Sequence, residues 1–566
     1  MQNKNLLRKA MLFVFAAFIG ASAMALPKVY VSTNITTNTT WTSNKIYVLT
    51  GLIYVTNNAT LTIQPGTVIY GNDASSSNKG SLIITRGAKI QAVGTPCRPI
   101  VFTSGLAPAK RARGDWGGLI LLGYAAINPP GDTAHIEGIV PVPETRFGGG
   151  LNPNCGGGDC PDNNDNSGTL EYVRVEYAGV ALSPNNEING ITFGGVGSGT
   201  TVDHVQVSYS NDDSYEWFGG NVNAKYLIAY RGIDDDFDTD NGYSGKVQFG
   251  VGLRDPKVAD ISGSKGFESD NDANGSTNLP QTKAIFSNIT IDAGGDTTQN
   301  SLYIAGAHIR RNSDLKVFNS VLMGYPTGVL IDGTLTQGNV VTDTLLANNI
   351  IAVQGDDSNY VRTVSPSDNA SVVDLIRNHA ANRFYQNNSG VQLTNPYNLN
   401  NPNLRPKSGS PAISGASFAH AGLSNSFFQK VSFVGALPSN KAQDWTHESW
   451  VNFRPDTTVY NKGAFGSNCS GFVADKNDEV SENVAVADVK LSPNPNKGAF
   501  NIALSGFAAS VINVKISDLN TGRIYFIGKA NNNTTTNISI QAPNGNYVVE
   551  LTDGKTVVTR KVSVLN

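Results

Sequence analysis

Charge is scarce in this chain. Only 15% of its 566 residues are Asp, Glu, Lys or Arg, and they leave a net charge of -3. No basic stripe is available to neutralise phosphates, which excludes a nucleic-acid partner. Cysteine is scarcer still, at four, so the fold does not rest on a dense disulfide framework. Beyond the N-terminus no apolar run is long enough for a transmembrane segment. Long-helix periodicity is also nearly absent, "SVVDLIRNHAANRF" from Ser371 being the best helical stretch.

What the chain has in plenty is Gly, Asn, Thr and Ser, a mixture that suits strands and turns better than helices. Its length suggests two or three units or one elongated repeat. The start, "MQNKNLLRKAMLFVFAAFIGASAMALP", sets Lys4, Arg8 and Lys9 before the apolar run Ala10 to Gly20. Small residues then offer cleavage after Ala23 or Ala25. Residues 1–25 therefore read as a secretory signal peptide. In an oxidising compartment Cys155 and Cys160 of "NPNCGGGDCPD" are expected to close a tight disulfide loop. The rival metal site lacks further Cys or His at ligand spacing. Whether Cys97 pairs with Cys469 stays open.

Short strands recur. "LTIQPGTVI" from Leu61 and "LIITRGAKI" from Leu82 share L-x-I-x-x-G-x-x-I at an offset of 21. "VRVEYAG" at Val173, "VQVSYSN" at Val205 and "LIAYRG" at Leu227 set Val175-Glu176-Tyr177, Val207-Ser208-Tyr209 and Ile228-Ala229-Tyr230 in one pattern. A period near 21 with Gly-broken strands is what one turn of a stacked coil needs. The expected fold class is all-β, a right-handed parallel β-helix over residues 26–400; a β-propeller, whose blades need about 40 to 45 residues, is the alternative. Residues 401–470 are Pro-rich and irregular, and read as a cap over the last coil. Within them "SGSPAISGA" resembles the closing segments of secreted β-helix proteins.

After an acidic linker, 471–488, the composition resets. "LSPNPNKGAFNIAL", "VINVKISDLNTGRIYFI" and "GNYVVELTDGKTVVTRKVSVLN" alternate apolar and polar positions around Asn-Gly and Asp-Gly turns, as a small β-sandwich does. Pro493-Asn494-Pro495 with Gly498, "GNYVVEL" and the closing "TRKVSVLN" make residues 489–566 resemble the C-terminal sorting domain of type IX secretion substrates. The resemblance implies handling by the type IX machinery and release from, or attachment to, the outer cell surface. A plain β-sandwich binding module is the alternative.

The charge that is present is concentrated. "DDDFDTDNGYSG" puts five aspartates into the seven residues from Asp234 to Asp240. At about 5 Å and an effective dielectric near 20, each close pair of them costs roughly 3 kcal/mol. "DDSYEWFGG" from Asp212 and "DDDFDTDNG" from Asp234 align at an offset of 22, and "FESDN" from Phe267 matches "FDTDN" from Phe237. Stacked coils would place Tyr215, Phe237 and Phe267 inside and Glu216, Asp238 and Glu268 outside, about 4.8 Å apart. Asp212, Asp213, Asp234, Asp235, Asp236, Asp240, Asp270 and Asp272 lie around that ladder. Calcium, which takes six to eight oxygens in irregular geometry, is the expected neutraliser. Asp270, Asp272, Asn274 and Gly275 form the first half of an EF-hand-like loop, although its twelfth position is Gln281. The expected metal set is Glu216, Asp234, Asp236, Asp238, Asp240, Glu268, Asp270, Asp272 and Asn274. Solvated turns, in which Asp and Asn satisfy backbone donors, are the alternative.

The coil pattern resembles the pectate-lyase-like β-helix superfamily, which implies polysaccharide lyases and hydrolases; taken with the sorting domain and the acidic ladder, two functional classes are expected. One is a calcium-stabilised, adhesin-like surface protein that binds glycans. The other is a calcium-dependent polysaccharide lyase or a glycoside hydrolase. A lyase needs an Arg or Lys base beside the metal, and Arg231, Arg254, Arg310 and Arg311 are the candidates; a hydrolase needs paired carboxylates, with Asp238 central among them. No Gly-His-Gly segment accompanies the aspartates. His204 and His308 read as strand or turn residues, and Trp116 as a seal at the edge of the core.

Overall fold

A computed structural model of the protein describes residues 25–73, 79–183, 186–295, 299–466, 469, 488–505, 507, 509–518, 523–553 and 557–565. Apart from Ala25 the expected signal peptide lies outside the described residues, as does the expected linker apart from Asp488. Two compact units are present, residues 1–474 and 475–566. No helix among the described residues is long and apolar enough to cross a membrane.

Two parallel sheets run through the first unit, one of ten strands from Leu52–Val55 to Val361–Val364 and one of seventeen. Long strands of the larger sheet, such as Gly168–Glu176, Thr201–Ser208, Asn223–Tyr230, Lys246–Leu253 and Ile285–Asp292, bend at one left-handed residue. These residues are Tyr172 (φ 51°), His204 (φ 52°), Tyr226 (φ 56°), Phe249 (φ 63°) and Asn288 (φ 58°). A bend in one sheet plus the ten-stranded sheet gives each coil three sides, and the result is a right-handed parallel β-helix. Rings from successive coils fill its interior. Tyr215 and Phe237 stack at 5.7 Å, and Phe237 and Phe267 meet at 5.5 Å, all three fully buried. Such a pair adds about 0.5–1.5 kcal/mol beyond area burial.

The repeat is less regular than its motifs suggest. Tyr215 lies over Phe237, an offset of 22 as expected. Leu61, however, lies over Ile90 and Ile53 over Leu82, an advance of 29 residues rather than 21, although Thr39 lies over Leu61 at 22. The shared motif marks two different corners, each a strand leaving a glycine with positive φ, Gly66 (84°) and Gly87 (81°). The tyrosine pattern also slips. Tyr177 and Tyr209 stack at 5.1 Å, but Tyr230 pairs with Ser208, one position early.

Two short helices put Val340, Val372 and Ile376 into the core. The second, Ala370–Asn378, falls in the expected stretch and is capped by the Asn369 side chain. It stops at Asn378 because Arg383–Tyr385 must pair with Ile350–Ala352. Trp116 is buried and its indole donates to the Glu176 carbonyl at 2.7 Å, the sealing role expected of it.

The segment expected to cap the last coil does something else. It runs back along the outer face of the seventeen-stranded sheet as a strap. Ser417 N–H donates to Asn319 Oδ1, Asn452 N–H to Gln206 Oε1 and Ala464 N–H to the Gly66 carbonyl, stepping from late coils to early ones. A buried ion pair, Arg174 and Glu176, is shared with it: Arg174 donates to the Trp450 carbonyl and Tyr460 donates to Glu176 at 2.7 Å. Cys469, the last described residue of this unit, is disulfide-bonded to Cys97 with a Cα–Cα distance of 5.5 Å. The expected Cys155–Cys160 disulfide is also present.

In the second unit, antiparallel sheets of three and four strands close over Phe500, Ile502, Val514, Ile516, Val549 and Leu551. This is the expected small β-sandwich.

Candidate functional site

Alternation along the ten-stranded sheet turns every second side chain outward. Thr192, Glu216, Asp238, Glu268 and His308 are therefore partners across successive strands, one outward column climbing coil by coil. Asp240 sits beside it, opposite Phe218. The turns before these strands add a second acidic row. Asp213 accepts from the Asp235 N–H at 2.8 Å, and Asp235 in turn accepts from the Lys265 N–H at 2.6 Å. Three triads result: Asp212, Asp213 and Asp234; Asp213, Glu216 and Asp238; Asp235, Asp238 and Glu268. In each, one oxygen per residue lies within 4.8 Å of the others.

Cations meet this stack at one end. Lys265 Nζ lies 2.6 Å from Glu268 and 3.5 Å from Asp235, and Arg310 lies 2.6 Å from Glu268 and 2.7 Å from Asp270. Burial raises the Glu268 carboxyl, but Lys265 and Arg310 outweigh it and hold it below its ordinary value. Among the described residues, no Lys or Arg pairs with Asp212, Asp213, Asp234, Glu216, Asp238 or Asp240. Burial, then the neighbouring carboxylates Glu268, Asp235, Asp270 and Asp240, push Asp238 well above the usual range. Burial followed by Glu137, Asp238, Asp213 and Asp212 does the same to Glu216. Asp240 is pushed up to about 7 by burial and then by Asp270. One oxygen of Asp238 is buried with no hydrogen-bond partner.

Four residues of the expected metal set leave it. Asp236 turns into the body, where it pairs with buried Arg254 at 3.0 Å; a Cβ on residue 252 would lie 2.4 Å from its Oδ2, so Gly252 is required. Asp270 is taken by Arg310 and Arg311. Asp272 closes on its own loop, accepting from the N–H groups of Asn274 and Ser276 and from the Ser276 hydroxyl. Asn274 is exposed beside it. The half EF-hand pattern is thus a turn satisfied by the chain's own donors. Glu216, Asp234, Asp238, Asp240 and Glu268 stay together, joined by Asp212, Asp213 and Asp235 from the same turns. Glu137, from the excursion between Leu119–Leu122 and Gly168–Glu176, reaches Glu216; its only sequence signal is an isolated acid far from the repeat.

Of the candidate bases, Arg310 and Arg311 stand at the end of the stack, tied to Glu268 and Asp270, and the other two are elsewhere. Arg254 is fully buried against Asp236, and Arg231 pairs with Asp255 at 2.5 Å with its guanidinium over Tyr209. His308 lies between Glu268 and Asp332, and burial lowers it to about 4. His204 is in a different column, stacked between Tyr172 and Tyr226.

Comparison with known families agrees with this architecture. A model described as the pectate-lyase-like beta helix domain matches residues 33–394, more than half of the chain. The protein belongs to the pectate-lyase-like β-helix family. A second model, the secretion system C-terminal sorting domain, matches residues 490–565. This family member is therefore a type IX secretion substrate, secreted or attached to the cell surface. No curated protein matches it.

Proposed function

We propose that this β-helix is a calcium-loaded, non-catalytic surface protein, in which calcium ties successive coils together and the rod makes glycan contacts. The observation that carries the reading is the run of carboxylate triads in which Asp212, Asp213, Asp234, Glu216 and Asp238 have no Lys or Arg partner among the described residues, Lys265 and Arg310 meeting the run only at Asp235 and Glu268. Glu216, Asp238 and Asp213 come from two coils, and Asp235, Asp238 and Glu268 from two, so an ion in either triad cross-links the stack. Oxygen-only, partly irregular donor sets suit calcium, and extracellular modules hold it at about 10⁻⁴ to 10⁻³ M. A lyase would need a free base beside the metal. Arg231 and Arg254 are held in ion pairs away from the stack, and Arg310 and Arg311, which stand at its end, are tied to Glu268 and Asp270, which favours the binding reading over catalysis.

Calorimetric titration of calcium into the metal-stripped protein tests this. Saturable heat is expected for the unaltered chain and none for the triple variant Asp213→Asn, Asp235→Asn, Asp238→Asn. Equal heats from both would remove the stack as the site.

A further inference from the structure

A second crevice lies between the strap and the bend of the seventeen-stranded sheet. Its floor is the column of left-handed residues: Tyr172 and His204 stack at 4.6 Å, His204 and Tyr226 at 4.3 Å, and Tyr226 and Phe249 at 5.2 Å. Each ring covers its neighbours' faces, so the column offers ring edges and two phenolic hydroxyls. Trp445, at 72° to Tyr226, and Phe433 from the strap help to line the other side of a cavity of ≈ 400 Å³. Large non-glycine residues at positive φ are uncommon, and four in succession point to a demand on the side chains rather than on the backbone.

We infer that this groove binds a neutral, extended β-1,4-linked oligosaccharide laid along the coil axis. The inference rests on the reading of the chain as a glycan-contacting surface protein, and it assigns the place and the sugar class. Three features carry it. The first is composition: apolar carbon floors the groove, while the side chains of Gln429, Gln443 and Glu448 and the hydroxyls of Tyr172 and Tyr226 make no hydrogen bond among the described residues. Apolar walls that share a cleft with uncommitted polar groups are how a small-ligand site is built. The second is period. Ring spacings of 4.3 to 5.2 Å are comparable to the advance one sugar adds to an extended β-1,4-linked chain, so successive sugars meet equivalent coils. The third is charge. Glu171, Asp203 and Glu448 surround Tyr172, whose phenol is pushed up to about 12 by burial and then by those acids. The nearby Lys225 lies over Phe427, its ammonium 4.8 Å from the ring. That field repels uronic acids and leaves neutral sugars.

Binding of four tetrasaccharides to the calcium-loaded protein tests this: β-1,4-linked glucose, β-1,4-linked N-acetylglucosamine, α-1,4-linked glucose and galacturonic acid. At least one of the neutral β-linked tetramers is expected to bind, and the other two are not. Exchange of the exposed pair, Gln443→Ala with Glu448→Ala, should weaken binding at least tenfold, and Tyr226→Phe, which removes one hydroxyl, several-fold. Calcium heats should be unchanged in both variants. Binding that ignores these changes, or that favours the acidic or α-linked tetramer, overturns the groove while leaving a surface-binding role. Absence of all binding overturns both the groove and the glycan contact, with the calcium site tested separately.

Discussion

Arg254→Met is expected to destabilise the protein by about 3–5 kcal/mol, the usual cost of stranding one partner of a buried ion pair. Arg254 and Asp236 are both fully enclosed; Arg254 donates to Asp236 at 3.0 Å and to the Ile233 carbonyl at 3.0 Å, beneath the Tyr303 ring. Without the guanidinium, Asp236 retains a buried charge with nothing opposite it. The double variant Arg254→Met, Asp236→Asn should recover a large part of the loss because the stranded charge is gone. Urea unfolding of the three proteins measures this. A double variant no better than Arg254→Met would mean that the pair is not what holds this corner.

Cys469→Ser should be comparably costly. The Cys97–Cys469 bond spans a sequence separation of 372 residues. On the chain-entropy account, closing a loop of that order restrains the unfolded chain by about 6 kcal/mol. The strap should also become the first segment cut in limited proteolysis, since its free end then frays from Gly66 and Cys97. An unaltered melting point together with an intact strap would show that its side-chain ties suffice without the disulfide.

Much of the architecture was legible because alternation and stacking are local and repetitive. The 22-residue offset from Tyr215 to Phe237 predicted both the buried ring stack and the outward Glu216–Asp238–Glu268 column. The 21-residue offset from Leu61 to Leu82 misled because a glycine turn recurs at more than one corner of a coil. Pattern alone finds a corner, not which corner. The helix Thr334–Thr342 carried no signal, being rich in Thr, Val, Asn and Gly, and is held by burial of Thr336, Gln337 and Val340. The strap reads as a cap in the sequence because its ties are single polar side chains, such as Gln206 and Asn319, separated from it by long stretches of sequence.

In the acidic site, residue type was readable and destination was not. Asp235, Asp236 and Asp238 look alike in sequence, yet Asp236 turns inward to Arg254 while the other two face the stack. Asp270 and Asp272 matched a ligand spacing but found Arg310, Arg311 and backbone donors first. Only the register of neighbouring coils decides which carboxylates are left without a partner.

Thermal unfolding of the metal-stripped protein and of Asp238→Asn, each with and without 10 mM calcium, tests the central claim most directly. Calcium at ten to a hundred times its dissociation constant should stabilise the unaltered chain by about 1.4–2.7 kcal/mol. Asp238→Asn should lose that gain. Without calcium, however, it should melt above the stripped parent, because it removes a carboxylate repelled by Glu268 and Asp235. This crossing of the two proteins is the predicted result. A calcium response equal in both, or a stripped variant that melts below the stripped parent, would contradict an acidic stack held together by calcium.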